Sequence, residues 1–249
     1  VEVIDGQQVD LRRAVNLLTS TRPVQRLPRR RWNIWAARAT VFADCGPAMT
    51  PFRSDVEALL ARLRRERGHA GLRVEWCHDA PEATEVTLPR GAAVLVLGDL
   101  GRLAGNEATS RAWLEFGRAV RQRGHSAAAL SPCPRNRWSS EQAGVWHLAE
   151  WDRGASLPRG KAGLSPKPGM TKDKQSEAVN RLLALLSPAF RIEQRMVRAL
   201  RWLMPAKTAD VGTEHDAWHH QHVTRNEFAA AFRRDTAAEH RRVLRNLPA

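Results

Sequence analysis

The sequence is short of the features that mark common protein classes. It has three cysteines, Cys45, Cys77 and Cys133, odd in number and far apart. That excludes a disulfide framework and a cysteine-based zinc cluster, and it fits a reducing compartment. No window approaches the roughly 18 uninterrupted apolar residues of a membrane helix. No secretory leader is read either, so the cytoplasm is the expected address, with no membrane partner. The chain begins at Val1 rather than Met, as a piece of a longer protein would. Gly-x-Gly-x-x-Gly and P-loop sequences are missing, which disfavours nucleotide binding. So are the Gly-x-Ser-x-Gly elbow and the cysteine-protease signatures, the zinc-finger and RNP motifs, and any internal repeat.

Acidic residues are also scarce. Forty Lys and Arg face 26 Asp and Glu, a net charge of +14 over 249 residues. Leu11 to Ala43 holds eight arginines and no acid, with Arg29-Arg30-Arg31 at its centre. This surplus has two readings: an arginine-rich composition with no specific role, or a basic arm for polyanions, nucleic acid among them. The 43% hydrophobic content is enough for a real core, which excludes global disorder.

Along the chain, residues 9–19 carry a weak helical pattern. Thr21 to Trp35 reads as an extended lead-in, with Trp32 and Trp35 docking on a sheet edge. Alternation then begins. Residues 39–44 form an apolar strand ending in Asp44, and Thr50-Pro51 reads as the cap and first residue of a helix whose apolar face is Phe52, Val56, Leu59, Leu60 and Leu63, stopped by Gly68. Leu72 to Cys77 alternates as a strand, and Ala92 to Leu97 is a continuous apolar run fit for a central parallel strand. Trp113, Phe116 and Val120 mark a helix closed by Gly124, and a small apolar strand starts at Ser126. Ser139 or Ser140 caps a helix carrying Val145, Trp146 and Leu148. This predicts an α/β, Rossmann-like, mostly parallel sheet with helices on both faces over 36–150, after an N-terminal helix and basic lead-in over 1–35. A linker over 151–174 and a helical module over 175–249 follow, the latter with helices at Ala178 to Leu186, through Ile192, Met196, Val197, Leu200 and Leu203, and behind a Thr236/Glu239 capping box.

Asp44 and Asp99 each follow an apolar strand, and in a parallel sheet such ends share one edge, so the pair is a candidate hard-cation site. Here the chain resembles a von Willebrand factor A-type domain, whose members hold Mg²⁺ with Asp-x-Ser-x-Ser after the first strand and an aspartate turn after a central one. The motifs in this chain are Asp44-Cys45-Gly46-Pro47-Ala48 and Gly98-Asp99-Leu100-Gly101. Both aspartates are kept, whereas the two serine positions are Gly46 and Ala48. The resemblance therefore implies a degenerate site, with at most weak Mg²⁺ binding and otherwise no cofactor. Leu27 to Trp32, Pro47 to Phe52, Arg191-Ile-Glu, Gly212-Thr-Glu214 and Trp218-His219-His220 extend it. They resemble large bacterial proteins that often carry a formylglycine-generating-enzyme-like module with a C-type lectin fold, and that are associated with conflict or defence systems containing AAA+ or STAND ATPases. What this implies is a non-enzymatic interaction or adaptor role with a protein partner, such an ATPase, and a contact face at the crevice of Asp44, Met49 and Asp99. It also implies that Glu214 and Trp218 are fold-defining.

Two constellations support different chemistry. Glu214-His-Asp-Ala-Trp-His-His-Gln-His222 puts His215, His219 and His222 at helical spacing, acceptable for a transition metal. It reads more simply as an exposed turn, given the flank Asp210 to Thr213. Cys45 at a helix start, where a thiolate is stabilised, could pair with His78 or His125 near strand ends, which makes a cysteine- or metal-dependent hydrolase the third function class. Nucleic-acid binding through Arg29, Arg30 and Arg31 is the second.

Overall fold

A computed structural model describes residues 2–19, 27–34, 39–67, 71–82, 86–89, 92–152 and 172–246. Trp35, the side chain of Trp32, Gly68 and residues 153–171 of the expected linker lie outside these. The basic lead-in is not a lone extended segment. Strand β1 (Glu2–Val9) leads into helix α1 (Leu11–Thr19), and β2 (Arg29–Ile34) returns antiparallel to β1 as a two-stranded sheet. Arg31 stands opposite Asp5 and Arg29 opposite Val9 in that ladder. The Asp10 carboxylate accepts from the Arg13 amide, and the Asp10 amide donates to Pro28 O, which fixes the strand–helix corner. The arginine run therefore lies on a paired strand.

The main sheet has five parallel strands. In chain order they are β3 (Ala39–Asp44), β4 (Leu72–Cys77), β5 (Ala93–Leu97), β6 (Ser126–Ser131) and β7 (His147–Glu150), and in space they run β4-β3-β5-β6-β7. Helices α2 (Arg53–Arg67), α3 (Glu107–Gln122) and α4 (Ser140–Val145) connect them. Right-handed crossovers on either side of β3 place α2 on one face and α3 and α4 on the other. This is the Rossmann-like α/β arrangement the alternation predicts, and its winding reverses between β3 and β5. β3 is buried along its whole length because it has a strand on each side and a helix on each face.

Two local expectations are corrected. Thr50 and Pro51 do not start the helix: Pro47–Phe52 is a 3-10 turn with Pro51 inside it, Thr50 Oγ1 donates back to Pro47 O, and α2 begins at Arg53. The turn forms because Pro47 and Pro51 fix φ, and Pro47 sits at the first position, where the amide it lacks has no partner in the turn. Ser139 does cap α4, accepting from the Gln142 amide, but the helix stops at Val145, and Leu148 belongs to strand β7. Phe42, Trp113, Phe116 and Trp146 form the aromatic centre of the core, with Phe42 and Phe116 edge-on at 5.1 Å. Trp146 lies so close to α3 that a Cβ on Gly117 would come within 2.5 Å of its ring.

The C-terminal region is less purely helical than its periodicity suggests. Helices α5 (Lys172–Leu186), α6 (Gln194–Leu203), α7 (Val211–Trp218) and α8 (Ala237–Arg245) surround a small antiparallel sheet of β8 (Ile192–Glu193), β9 (Val223–Arg225) and β10 (Ala229–Phe232), in the order β8-β10-β9. Its strands are two to four residues long, too short for period-two alternation to show. Thr236 precedes α8 without a side-chain cap, its hydroxyl donating to Arg233 O. Leu182, Leu183, Ile192, Val197 and Trp218 make a second core. The module docks through α7: Val211 joins the first core, and Gly212 sits against Pro134.

An ionic network seals this docking. Glu214 of α7 is 1% exposed and accepts from Arg198 and Arg201 of α6. Arg198 also pairs with Asp55 of α2, and Arg201 with Asp152 just past β7, at 2.7 Å. Two predictions follow from this packing. Gly117→Ala should cost about 1–3 kcal/mol by overpacking Trp146, read as a lower urea midpoint at unchanged m-value. Glu214→Gln should cost about 3–5 kcal/mol, because it leaves the buried Arg201 and the part-buried Arg198 short of a counter-charge; an unchanged midpoint would show that the network does not hold the module.

Candidate functional site

In an open α/β sheet ligands bind outside the carboxyl ends of the strands, where the winding reverses. Asp44 ends β3 and Asp99 follows β5, one on each side of that reversal, so the strand ends do bring the two predicted carboxylates together. They are 5% and 3% exposed. Asp99 organises a turn: Oδ1 accepts from the Gly101 amide at 2.9 Å, and Oδ2 from the Leu103 amide at 2.8 Å. The turn holds Leu100 at φ 54°, unusual for a side chain with Cγ branching. Gln142 of α4, 1% exposed, braces it by donating to Leu100 O and Ser110 Oγ. Asp44 Oδ1 accepts from the Gly46 amide at 2.8 Å. Gly98 lets the two strand ends approach, since a Cβ there would stand 2.7 Å from Asp44 Cβ.

Burial first, and then the charge of Asp99, raise the Asp44 carboxyl to about 7 against the pull of the Gly46 amide; Asp79 adds to the rise, and Asp44 is hydrogen-bonded to Asp99. Asp44 therefore keeps its proton up to about neutrality. Such a pair is a poor Mg²⁺ ligand set. Three of its four oxygens accept backbone amides, and no side-chain oxygen stands at Gly46 or Ala48. Among the described residues no group of three or more His, Cys, Asp or Glu is placed to hold a metal ion.

The crevice above Asp44 has a volume of about 460 Å³. Met49, expected on a contact face, is 1% exposed and belongs to the core beneath it. Asp99 is likewise too buried to meet a partner. The accessible rim is Thr50, Arg53 and His78, together with Arg225, Asn226 and Glu227 from the β9–β10 turn of the C-terminal module. Glu227 pairs with Arg53 at 2.9 Å, and its backbone carbonyl accepts from Gln194. Cys45 is no thiolate: burial and the charge of Asp44 raise its pKa, and its Sγ donates to Cys77 O at 3.2 Å. His78 follows β4 on the crevice edge, whereas His125 precedes β6 on the opposite edge, so His125 is not available to Cys45.

The histidine-rich stretch is corrected as well. It is the largely buried helix α7 and the loop after it rather than an exposed turn. His215 and His219 stack at 4.2 Å, and His219 is bracketed by the carbonyls of His215 and Pro47 at 3.0 and 3.2 Å. Burial, then His215, depress its pKa to about 4, so it is neutral. His222 turns away from these two and meets His240 of α8, 2.9 Å between ring nitrogens. The three expected ligands therefore do not converge. Asp216, between them in sequence, accepts from Arg137 at 2.7 Å and Gln175 at 2.9 Å; although burial pushes its pKa up, the His215 and Arg137 contacts hold it well below the usual range.

Sequence reasoning missed Arg198, Arg201, Gln142 and the β9–β10 rim. The available signals were Glu214 in an otherwise apolar helix start and arginines spaced by three at Arg195, Arg198 and Arg201. No protein-family model, curated protein or solved structure matches the chain.

Asp44 supplies a pH test. Its folded pKa lies above the unfolded value, so its stabilising contribution is complete below about pH 4 and is lost as pH rises through about 7. Asp44→Asn should therefore melt higher than wild type at about pH 8, by a few kcal/mol at most, and lose that advantage at about pH 5. Equal melting differences at both pH values would rule out a raised Asp44 pKa.

Proposed function

We propose that this chain is a non-enzymatic interaction module, an adaptor in a multi-component bacterial defence or conflict system of the kind its sequence resembles, with an AAA+ or STAND ATPase as the protein partner. The observation that carries this reading is how the reactive groups at the sheet's carboxyl edge are used. Asp99 holds a turn, Cys45 is a protonated thiol donating to a backbone carbonyl, and His219 is neutral between two carbonyls. Asp99, Cys45 and His219 thus each have a local bonding role, and the raised thiol pKa counts against a Cys45 hydrolase. What remains for a partner is the polar rim around Arg53 and His78, on a rigid sheet edge suited to presenting contacts.

The competing reading is polyanion binding. A net charge of +14 and an exposed Arg29 on β2 favour it. One set of measurements separates the two. Mixed with an AAA+ or STAND ATPase from such a system, the chain should form a stoichiometric complex by light scattering, weakened at least tenfold (about 1.4 kcal/mol) by Arg53→Glu. Generic DNA should show no salt-dependent anisotropy change that Arg29→Ala, Arg30→Ala and Arg31→Ala together remove. No complex, with DNA binding that falls steeply with salt and disappears in the triple variant, would reverse the assignment.

A further inference from the structure

The crevice holds chemistry that an adaptor does not need. At about 460 Å³ it is within the size range of small-molecule sites. Two guanidinium groups from distant parts of the chain line it: Arg53 at the start of α2 and Arg225 at the end of β9. Arg225 is exposed and makes no ion pair with any described residue. Arg53 is shared between Glu57 and Glu227, whose side chains are 58% and 66% exposed. Pairs that open to water hold little energy, so a doubly charged ligand can displace them. Asn226 adds a neutral side-chain amide, and the Asp44 carboxyl stands at the floor.

We propose that this crevice binds a small phosphate-bearing ligand, a phosphomonoester, with Arg53 and Arg225 clasping the phosphate. Two guanidinium groups converging on one tetrahedral dianion make charge-assisted hydrogen bonds, and the chain's net charge of +14 concentrates anions near it. The carboxyl is what makes the site conditional. In its ionised form the Asp44 carboxyl repels the ligand, and in its neutral form it does not. Three groups that face it work against the ligand: Asp99 beyond β5, Asp79 beyond β4, and Glu227 on the β9–β10 turn. Arg53, Arg225 and His78 work in its favour, while His219 and the Cys45 thiol are neutral. Because Asp44 titrates at about 7, binding weakens as pH rises through neutrality. The inference is independent of the adaptor reading, since one assay reads a protein complex and the other an anion.

Calorimetric titration of the full chain with sulfate, whose charge is constant over the range, and with glycerol 3-phosphate tests it at about pH 6 and pH 8.5. Saturable binding of both is expected at the lower pH, weaker by about tenfold or more at the higher. Arg225→Ala, a change at an exposed position, should weaken binding about tenfold at pH 6 without moving the melting temperature. In a His78→Gln background, which removes the one histidine on the rim that titrates over this range, Asp44→Asn should bind sulfate equally at both pH values. Three results would each overturn the proposal: no saturable binding at either pH, binding indifferent to Arg225→Ala, which would place the anion on other arginines, or a pH dependence that survives in the Asp44→Asn, His78→Gln double variant.

Discussion

Glu214 is the group on which the arrangement of this protein depends. A carboxylate 1% exposed is tolerable only with full compensation, and it gets this from two arginines on the neighbouring helix, each also tied to another part of the chain. Arg198 reaches Asp55 at the start of α2, and Arg201 reaches Asp152 past β7. One buried charge thus commits α6, α7, α2 and the end of the sheet to a single geometry. Replacing the whole set by apolar groups could be as stable, but it would not dictate which surfaces meet. The network's contribution is register, and the register brings the β9–β10 turn to the carboxyl edge.

That edge is the other half of the design. A doubly wound sheet leaves a crevice where its winding reverses, and here an aspartate occupies each side of it. Asp99 is absorbed by the turn it closes. Asp44 faces the crevice, and its environment is the reverse of an ion site: apolar burial and a second carboxylate favour the proton over a metal. The C-terminal module then supplies a rim with arginine on it. The same site is unsuited to Mg²⁺ because of one proton, which burial first and then the neighbouring charge of Asp99 retain.

Much of the sheet was readable from residues alone. The strands at Ala39, Leu72, Ala93 and Ser126 announced themselves by apolar runs between breakers, and the pairing of Asp44 with Asp99 followed from parallel topology. β1, β7 and the small C-terminal sheet were not readable. β1 is polar, the four residues of β7 follow directly on a helix with a similar apolar rhythm, and strands of two to four residues carry too little periodicity. Met49 shows the same limit at a single side chain: its place in a motif suggested a surface role, yet the 3-10 turn rotates it into the core.

The amino-acid sequence by itself determined the alternation, the strand ends and the two aspartates, because hydrophobic period and turn residues act over a few neighbouring positions. Only the tertiary structure decided which charges are buried together, that His222 joins His240 rather than His219, that the arginine run is a paired strand, and that Asp44 keeps its proton. Those outcomes depend on dielectric and on contacts between residues far apart in the chain, such as Asp55 with Arg198 and Pro47 with His219, and no local pattern encodes them.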